Sequence, residues 1–102
     1  MAELDMSLRH NLQQDEALRR IKGLLSDVQR RFANKARNVH ERWNGYVGDF
    51  SFSVFGLSTK GQLFVEPTQV RLTGKLPPGA GRYKGKVETI IREQAEALLG
   101  KP

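Results

Sequence analysis

The middle of the chain contains three turn signals that together predict one antiparallel sheet with a single apolar face. Asn44-Gly45 is typical of a two-residue type I′ turn, because both residues tolerate positive φ. Further tight turns are predicted at Gly56-Leu57 and Pro67-Thr68. With these turns, each strand contributes one apolar residue to a single row, in the order Val39, Phe50, Leu63 and Leu72. Because a shift of one residue would move an apolar set to the other face, this agreement predicts a meander with one buried face.

Strand positions follow from residues that alternate between apolar and polar. Leu4, Met6 and Leu8 predict a half-buried first strand. The later strands are predicted at about 37 to 43, 46 to 55, 58 to 66 and 69 to 76. Their second face is expected to be polar and exposed, and to carry His40, Asp49, Phe64 and Arg71.

Two helices are predicted on either side of the meander. Asn11 and Gln14 match an N-x-x-Q variant of the capping box, which predicts the start of the first helix. Its apolar stripe, about four turns long, consists of Leu18, Ile21, Leu25, Val28 and Phe32. The last helix is expected to begin near Arg82 and to end at Gly100.

This order of elements predicts an α+β domain, β-α-β-β-β-β-α, with both helices packed on one face of an antiparallel sheet and a helix-grip-like curvature. If strand directions alternate, the first strand pairs with the last and the strand order is 2-3-4-5-1. The alternative is parallel pairing of the first strand with the second through a right-handed crossover. A chain of 102 residues is expected to form a single domain over residues 1–102.

Composition excludes several classes of protein. The absence of cysteine removes disulfides, thiolate metal sites and cysteine nucleophiles, and it suits a reducing compartment. The first ten residues lack the basic stretch and long apolar run of a secretory signal. No window approaches the roughly 20 apolar residues of a membrane-spanning helix. We therefore expect a cytoplasmic protein without a transmembrane segment.

Histidine and carboxylate residues do not converge on a catalytic or metal site in the sequence. With only His10 and His40 and scattered carboxylates, we expect no metal and no cofactor. His40 is expected opposite Asp49 as a charge pair, and a Ser-His-Asp set completed by Ser51 would lack a nucleophile elbow. No catalytic residue is assigned, and the chain is predicted not to be an enzyme.

Glu41 is the one carboxylate predicted to lie on the inner face, between Val39 and Trp43 and opposite Gly48. The favoured interpretation is that Glu41 forms an ion pair with Arg or Lys at the solvent-exposed end of the sheet. The alternative is a general base in an apolar cleft, with a raised pKa.

Two glycines are predicted to leave a gap in the inner face. Gly61 is expected opposite Gly74 and beside Phe52. The missing side chains leave room for a closely packed helix, a bend in the sheet or an apolar ligand. Glycines in strands usually serve backbone geometry, which favours the first two.

A net charge of +6 raises the question of nucleic-acid binding. The basic side of the first helix is joined in this hypothesis by Arg71, Lys75, Arg82, Lys84 and Lys86. Acidic residues interrupt this surface, and the aromatic residues that stack on bases are missing from it. Nucleic acid is therefore a disfavoured partner.

Two aromatic residues are expected to point outward from the polar face of the sheet. Phe64 is predicted to lie between Asp49 and Arg71, where it would centre a small protein contact. Phe55 is the second of these outward-pointing aromatic residues. The candidate partner contact is therefore Phe55, Phe64 and Arg71, and a homodimer through the outer sheet face is one arrangement that it would serve.

Several short stretches resemble a family of small bacterial proteins over about 85 residues. They are His10-Asn11-Leu12 before Glu16-Ala17, Trp43-Asn44-Gly45, Phe50-Ser51-Phe52, Gly56-Leu57, Gly61, Gly85-Lys86-Val87-Glu88 and Ile91-Arg92-Glu93-Gln94. The sequence is similar to the polyhydroxyalkanoic acid system family, whose genomic setting implies a role in synthesis, use or granule coating of polyhydroxyalkanoate polyester. No catalytic motif comes with this resemblance.

The resemblance implies a non-enzymatic accessory protein that acts at the granule surface or on a granule protein. Its expected partners are the granule polymer or a granule-associated protein, and its expected place is the cytoplasm at the storage granule. Two alternatives stay open. One is a binding module for an apolar or acyl ligand between helices and sheet, and the other is a basic nucleic-acid-binding protein.

Overall fold

A computed structural model of the chain describes residues 3–31, 36–54, 57–76, 79 and 81–100. The strands are β1 (Glu3–Arg9), β2 (Ala36–Asn44), β3 (Val47–Val54), β4 (Leu57–Val65) and β5 (Gln69–Lys75). The helices are α1 (Gln14–Ile21), α2 (Leu24–Arg31) and α3 (Lys84–Leu99), and a short 3₁₀ turn (Gly81–Tyr83) precedes α3.

The five strands form one sheet in the order β1-β5-β4-β3-β2, and all four neighbouring pairs are antiparallel. The three helices pack on one face of this sheet, with α1 and α2 in place of the single predicted first helix. The α+β class and the predicted order 2-3-4-5-1 are confirmed, and the parallel alternative for β1 is excluded.

The core lies between the inner face of the sheet and the apolar sides of the helices. Inward residues of the strands alternate with exposed ones, as period-2 geometry requires. The buried apolar residues of the strands are Leu4, Met6, Phe50, Phe52, Leu63, Val65, Val70 and Leu72, and those of the helices are Ala17, Ile21, Leu24, Val28, Val87, Ile91, Ala95 and Leu99.

The first turn of the meander lies one residue further along the chain than predicted, which shifts the pairing of β2 with β3 by two residues. Asn44 pairs with Val47, so the turn residues are Gly45 and Tyr46, and Phe50 faces Glu41 instead of Val39. Gly45 has φ +62°, whereas Tyr46 does not have positive φ, which is the pattern of a type II′ turn and not of type I′. The predicted turn type was wrong.

The second turn is shifted by the same amount and the third is as predicted. Val54 pairs with Leu57, so Phe50 faces Gly61 and not Leu63. The turn residues themselves, 55 and 56, lie outside the described residues. In the third hairpin Leu63 faces Leu72 and Gly61 faces Gly74, as predicted.

A β-bulge interrupts the pairing of β2 with β3. Arg37 pairs with Ser53 and His40 with Ser51, so two residues of β2 oppose Phe52 alone. One of them, Asn38, has φ +55°, a conformation that Asn adopts more readily than most residues. The bulge was not predicted.

The first helix differs from its prediction at both its start and its middle. It begins at Gln14, and Gln13 caps it without a side-chain hydrogen bond, so the capping box was wrong. The Gln14 amide instead donates to the Val65 carbonyl at 2.9 Å. The helix also breaks after Ile21, where the Gly23 N–H bonds to the Arg20 carbonyl at 3.2 Å.

The last helix follows its prediction closely. It begins after the 3₁₀ turn that contains Arg82 and ends before Gly100. Gly100 has φ +79°, and its N–H bonds to the Glu96 carbonyl at 2.9 Å. A glycine at this position stops the helix without steric cost.

Aromatic rings fill the space that the strand glycines leave open. A Cβ at Gly61 would lie 2.5 Å from Cζ of Phe50 and 2.2 Å from the Thr73 carbonyl oxygen, and a Cβ at Gly48 would lie 2.7 Å from the Trp43 ring. Gly61 therefore lies beside Phe50 and not Phe52, because of the shifted register. The gap holds neither a helix nor a ligand, since a cross-strand ring occupies it.

His10 ties the connection between β1 and α1 to the turn between β4 and β5. Its buried ring lies with Nε2 3.0 Å from the Glu66 carbonyl oxygen, and its Nδ1 accepts from the Leu12 N–H at 3.2 Å. Because Nδ1 accepts, Nε2 carries the proton and donates to Glu66. Both ring nitrogens are therefore occupied, which makes His10 a structural residue.

Phe50→Ala should cost about 3 to 5 kcal/mol of unfolding free energy, because the change removes a buried ring that rests on Gly61. Urea denaturation with matched m-values measures the loss. Ser51→Ala on the opposite face of the same strand is the control and should change stability little. An unmoved midpoint for Phe50→Ala would show that the ring is not part of the core.

Candidate interaction surface

The sheet face that points away from the three helices is here called the outer face. Its central strands contribute Asp49, Ser51, Ser58, Lys60, Gln62, Phe64, Arg71, Thr73 and Lys75, and its edge strands contribute Glu3, Asp5, Ser7, Arg9, Arg37, His40 and Arg42. No described helix covers it. His40, Asp49, Phe64 and Arg71 share this face as predicted, because a register shift of two residues keeps every side chain on its own face.

Phe64 is the half-buried aromatic residue of the outer face. It lies directly opposite Arg71 on β5 and opposite Val47 on β3. The structure thus brings together two of the three predicted contact residues, while Phe55 lies outside the described residues. Val47 was missed, although its parity with Asp49 along β3 places it on the same face.

The neighbours of Phe64 are polar and held by local contacts. The Arg71 guanidinium lies 3.5 Å from the Asp5 carboxylate on β1. Asp49 lies opposite Gln62 and accepts a hydrogen bond from its amide at 2.8 Å. Asp49 is therefore displaced from its predicted place next to Phe64, again because of the two-residue shift.

An open groove of about 760 Å³ crosses β1, β5 and β4 on this side of the sheet, and its lining includes Asp5, Lys60, Gln62, Arg71, Thr73 and Lys75. Lys60 and Lys75 lie directly opposite each other there. Like charges in this arrangement repel. The groove is open to solvent, which suits contact with a surface better than enclosure of a small molecule.

The basic side of the first helix is separate from the outer face. Glu16 forms ion pairs with both Arg19 and Arg20, the second at 2.7 Å, and Asp27 pairs with Arg30. The Glu16 pKa is lowered by these arginine hydrogen bonds. Since the helices pack on the inner face, Arg71 and Lys75 lie on the other side of the sheet, and the single basic surface predicted from sequence does not form.

The Ser-His-Asp set does not assemble. His40 faces Ser51 and not Asp49, so the predicted His40–Asp49 charge pair was wrong. Asp49 instead faces Arg42 and binds Gln62. Among the described residues, no hydrogen bond links His40 to either Ser51 or Asp49.

Glu41 lies at the end of the inner face with Trp43 and Lys22 for neighbours. Its side of β2 is as predicted, but it faces Phe50 instead of Gly48. Its pKa is raised because partial burial disfavours the charged carboxylate, an effect that the Trp43 indole and the Lys22 ammonium oppose. The Lys22 ammonium lies 5.9 Å from the centre of the Trp43 ring.

The contact between helices and sheet is closely packed. The cavity found there measures about 10 Å³ and is lined by nine apolar residues from β1, β4, β5 and all three helices. That volume is about the size of one water molecule. In the part of the chain that the structure describes, no three potential metal ligands cluster, and no helix is long and apolar enough to cross a membrane.

Comparison with known proteins places this geometry in a family. The model of the family described as "Putative polyhydroxyalkanoic acid system protein" matches residues 4–99. The chain belongs to this family. The predicted resemblance to this family is confirmed.

No curated protein matches the sequence. Among solved structures, the crystal structure of TTHA0849 from Thermus thermophilus is similar, with a TM-score of 0.39 and 14% identity. The similarity covers 96% of this chain and 92% of that chain.

Glu41→Gln should stabilise the protein at neutral pH relative to the unchanged chain. The unfolded carboxyl ionises near 4.5 and the folded one at higher pH, so ionisation costs stability as pH rises through that window. The advantage of Glu41→Gln should therefore be small below pH 4.5 and grow above it. Thermal unfolding across this pH range measures the difference, and equal midpoints at every pH would contradict the prediction.

Proposed function

We propose that the protein is a non-enzymatic accessory protein of polyhydroxyalkanoate metabolism, which acts at the granule surface or on a granule protein through the outer face of its sheet. The observation that carries this proposal is a five-stranded face that no described helix covers, with Phe64 on its middle strand, in a chain of the polyhydroxyalkanoic acid system family. A cytoplasmic place at the storage granule follows from the same proposal.

Phe64 supports the proposal as an anchor for binding. The ring is half-buried between Val47 and Arg71, and polar side chains surround it. An aromatic residue ringed by polar groups is easily desolvated by a partner and tends to dominate the energy of an interface. Dispersed charges at the rim mainly tune association rate and salt response.

The absence of enzymatic activity is proposed from the state of the titratable groups. Asp49 is held by Gln62, His10 has both ring nitrogens bonded, and Glu41 lies on the inner face away from His40. Nucleophilic or acid–base catalysis needs such groups within hydrogen-bond reach of one another. The described residues offer no such set.

Packing and charge lend less support to the alternatives. A cavity of about 10 Å³ between helices and sheet is far too small for an acyl chain. Arg19 and Arg20 of α1 and Arg30 of α2 are paired with acids, and Arg71 and Lys75 lie on the opposite side of the sheet. Granule binding through the outer face is therefore the function that the geometry supports best.

Phe64→Ser should weaken binding to purified polyester granules roughly ten-fold or more while leaving the fold intact, because it removes the proposed anchor. Co-sedimentation beside an unrelated protein of equal charge measures binding, and circular dichroism checks folding. The control is the double variant Arg19→Glu and Arg20→Glu, which changes charge on the far side of the molecule and should matter less. If the double variant abolishes binding in ordinary salt while Phe64→Ser has no effect, the contact is electrostatic and the proposed surface is wrong.

The purified protein should not turn over acyl-CoA, ester or nucleotide substrates. Release of thiol, acid or phosphate measured over long incubation tests this expectation. Robust hydrolysis that is lost in Glu41→Gln or His40→Ala would contradict it and would identify the protein as an enzyme.

A further inference from the structure

The two edges of the sheet differ in how they are protected. The β2 edge carries a bulge at Asn38 and the inward-facing charge of Glu41, which are devices that block pairing with another strand. The β1 edge is regular over Glu3–Arg9, with no bulge, no proline and no lysine. Only β1 is therefore ready to accept a further strand.

The hydrogen bonds of β1 show which residues face this free edge. The His10 N–H bonds to the Thr68 carbonyl at 3.0 Å, in the same register that pairs Met6 with Leu72. Because bonded and non-bonded residues alternate along an antiparallel pair, the even-numbered residues of β1 bond to β5. The free backbone groups belong to the odd-numbered residues, which are Glu3, Asp5, Ser7 and Arg9.

We propose that β1 pairs with β1 of a second copy of this chain, antiparallel and centred on Met6. In this register the odd-numbered residues face one another, so their free N–H and C=O groups meet. Glu3 then lies opposite Arg9 of the second copy, and two-fold symmetry repeats the pair at the other end. The contact between the two strands is self-complementary in charge, because the acidic residues Glu3 and Asp5 lie in the first half of β1 and the basic residue Arg9 lies at its end.

Charge and the length of the contact together favour this register over the neighbouring ones. Among the described residues, neither Glu3 nor Arg9 forms an ion pair, so both are available to a second copy. A shift toward the start of the strand would place Asp5 against Asp5, which is repulsive. A shift toward its end would exchange the Glu3–Arg9 pairs for Asp5–Arg9 pairs, although Asp5 already contacts Arg71 of its own chain, and it would shorten the contact.

The same pairing joins the two sheets into one. On the inner side Leu8, which is only half-buried in the single chain, would lie opposite Leu4 of the second copy. On the outer side the two copies of Phe64 would lie on one continuous surface. A granule or granule protein would then meet two anchors at once, which raises the effective affinity.

Sedimentation velocity over a micromolar concentration series tests the proposal, and the unchanged chain of 11.5 kDa should approach twice that mass. Glu3→Arg and Arg9→Glu should each weaken self-association roughly ten-fold or more, because each creates a like-charge pair at both ends of the contact. An equimolar mixture of the two variants should associate again, since every pair is then Arg against Glu. The double variant should also associate.

Arg37→Glu on the β2 edge is the matched control and should self-associate like the unchanged chain, with circular dichroism as the check on folding in every case. A chain that stays monomeric throughout the series would overturn the proposal. So would a mixture that fails to associate although both variants are folded. A dimer that survives Glu3→Arg and Arg9→Glu but is lost in Phe64→Ser would also overturn it, because the contact would then be the outer face.

Discussion

The Phe50 ring lies on Gly61, and this contact determines how the inner face of the sheet is built. One row across the sheet runs through Phe50, Gly61, Gly74 and Leu4, so two adjacent strands offer only backbone beside the ring. A methyl group at Gly61 would clash with both the ring and the Thr73 carbonyl. The ring thus takes the volume that two missing side chains leave, and the helices close over it with almost no residual cavity.

Sequence pattern predicted the faces of the sheet better than its register. The pattern has a period of two, so the two-residue errors at the first two turns left Phe50 and Phe64 on their correct faces. The residue types alone could not decide whether the turn residues are Asn44-Gly45 or Gly45-Tyr46, because both placements put Gly45 at a position of positive φ. The ring contacts at Gly48 and Gly61 favour the observed register, and such contacts are properties of the packed sheet and not of any turn.

Local helix signals failed where distant backbone groups competed for the same side chain. Gln14 was predicted to complete a capping box with Asn11 at the start of α1, but its amide donates to the Val65 carbonyl, and the His10 ring nearby donates to the Glu66 carbonyl. These partners are more than 50 residues away in sequence, so no pattern near Gln14 indicates them. The two bonds fasten the start of α1 to the turn between β4 and β5, and a well-placed tertiary hydrogen bond outweighs a marginal cap.

The sequence could predict on which face of the sheet Phe64 and Arg71 lie, but it could not predict which residues lie next to them. Strand parity alone joined Phe64 to Arg71, whereas the pairing of Arg71 with Asp5 needed the position of β1. The single basic surface predicted from the sequence does not form, because the helices and Arg71 lie on opposite sides of the sheet. With the inner face covered by helices and the β2 edge blocked by its bulge, the described chain presents two open regions, the outer face and the β1 edge. They share the odd-numbered residues of β1, so a partner strand at the edge would extend the outer face without covering it.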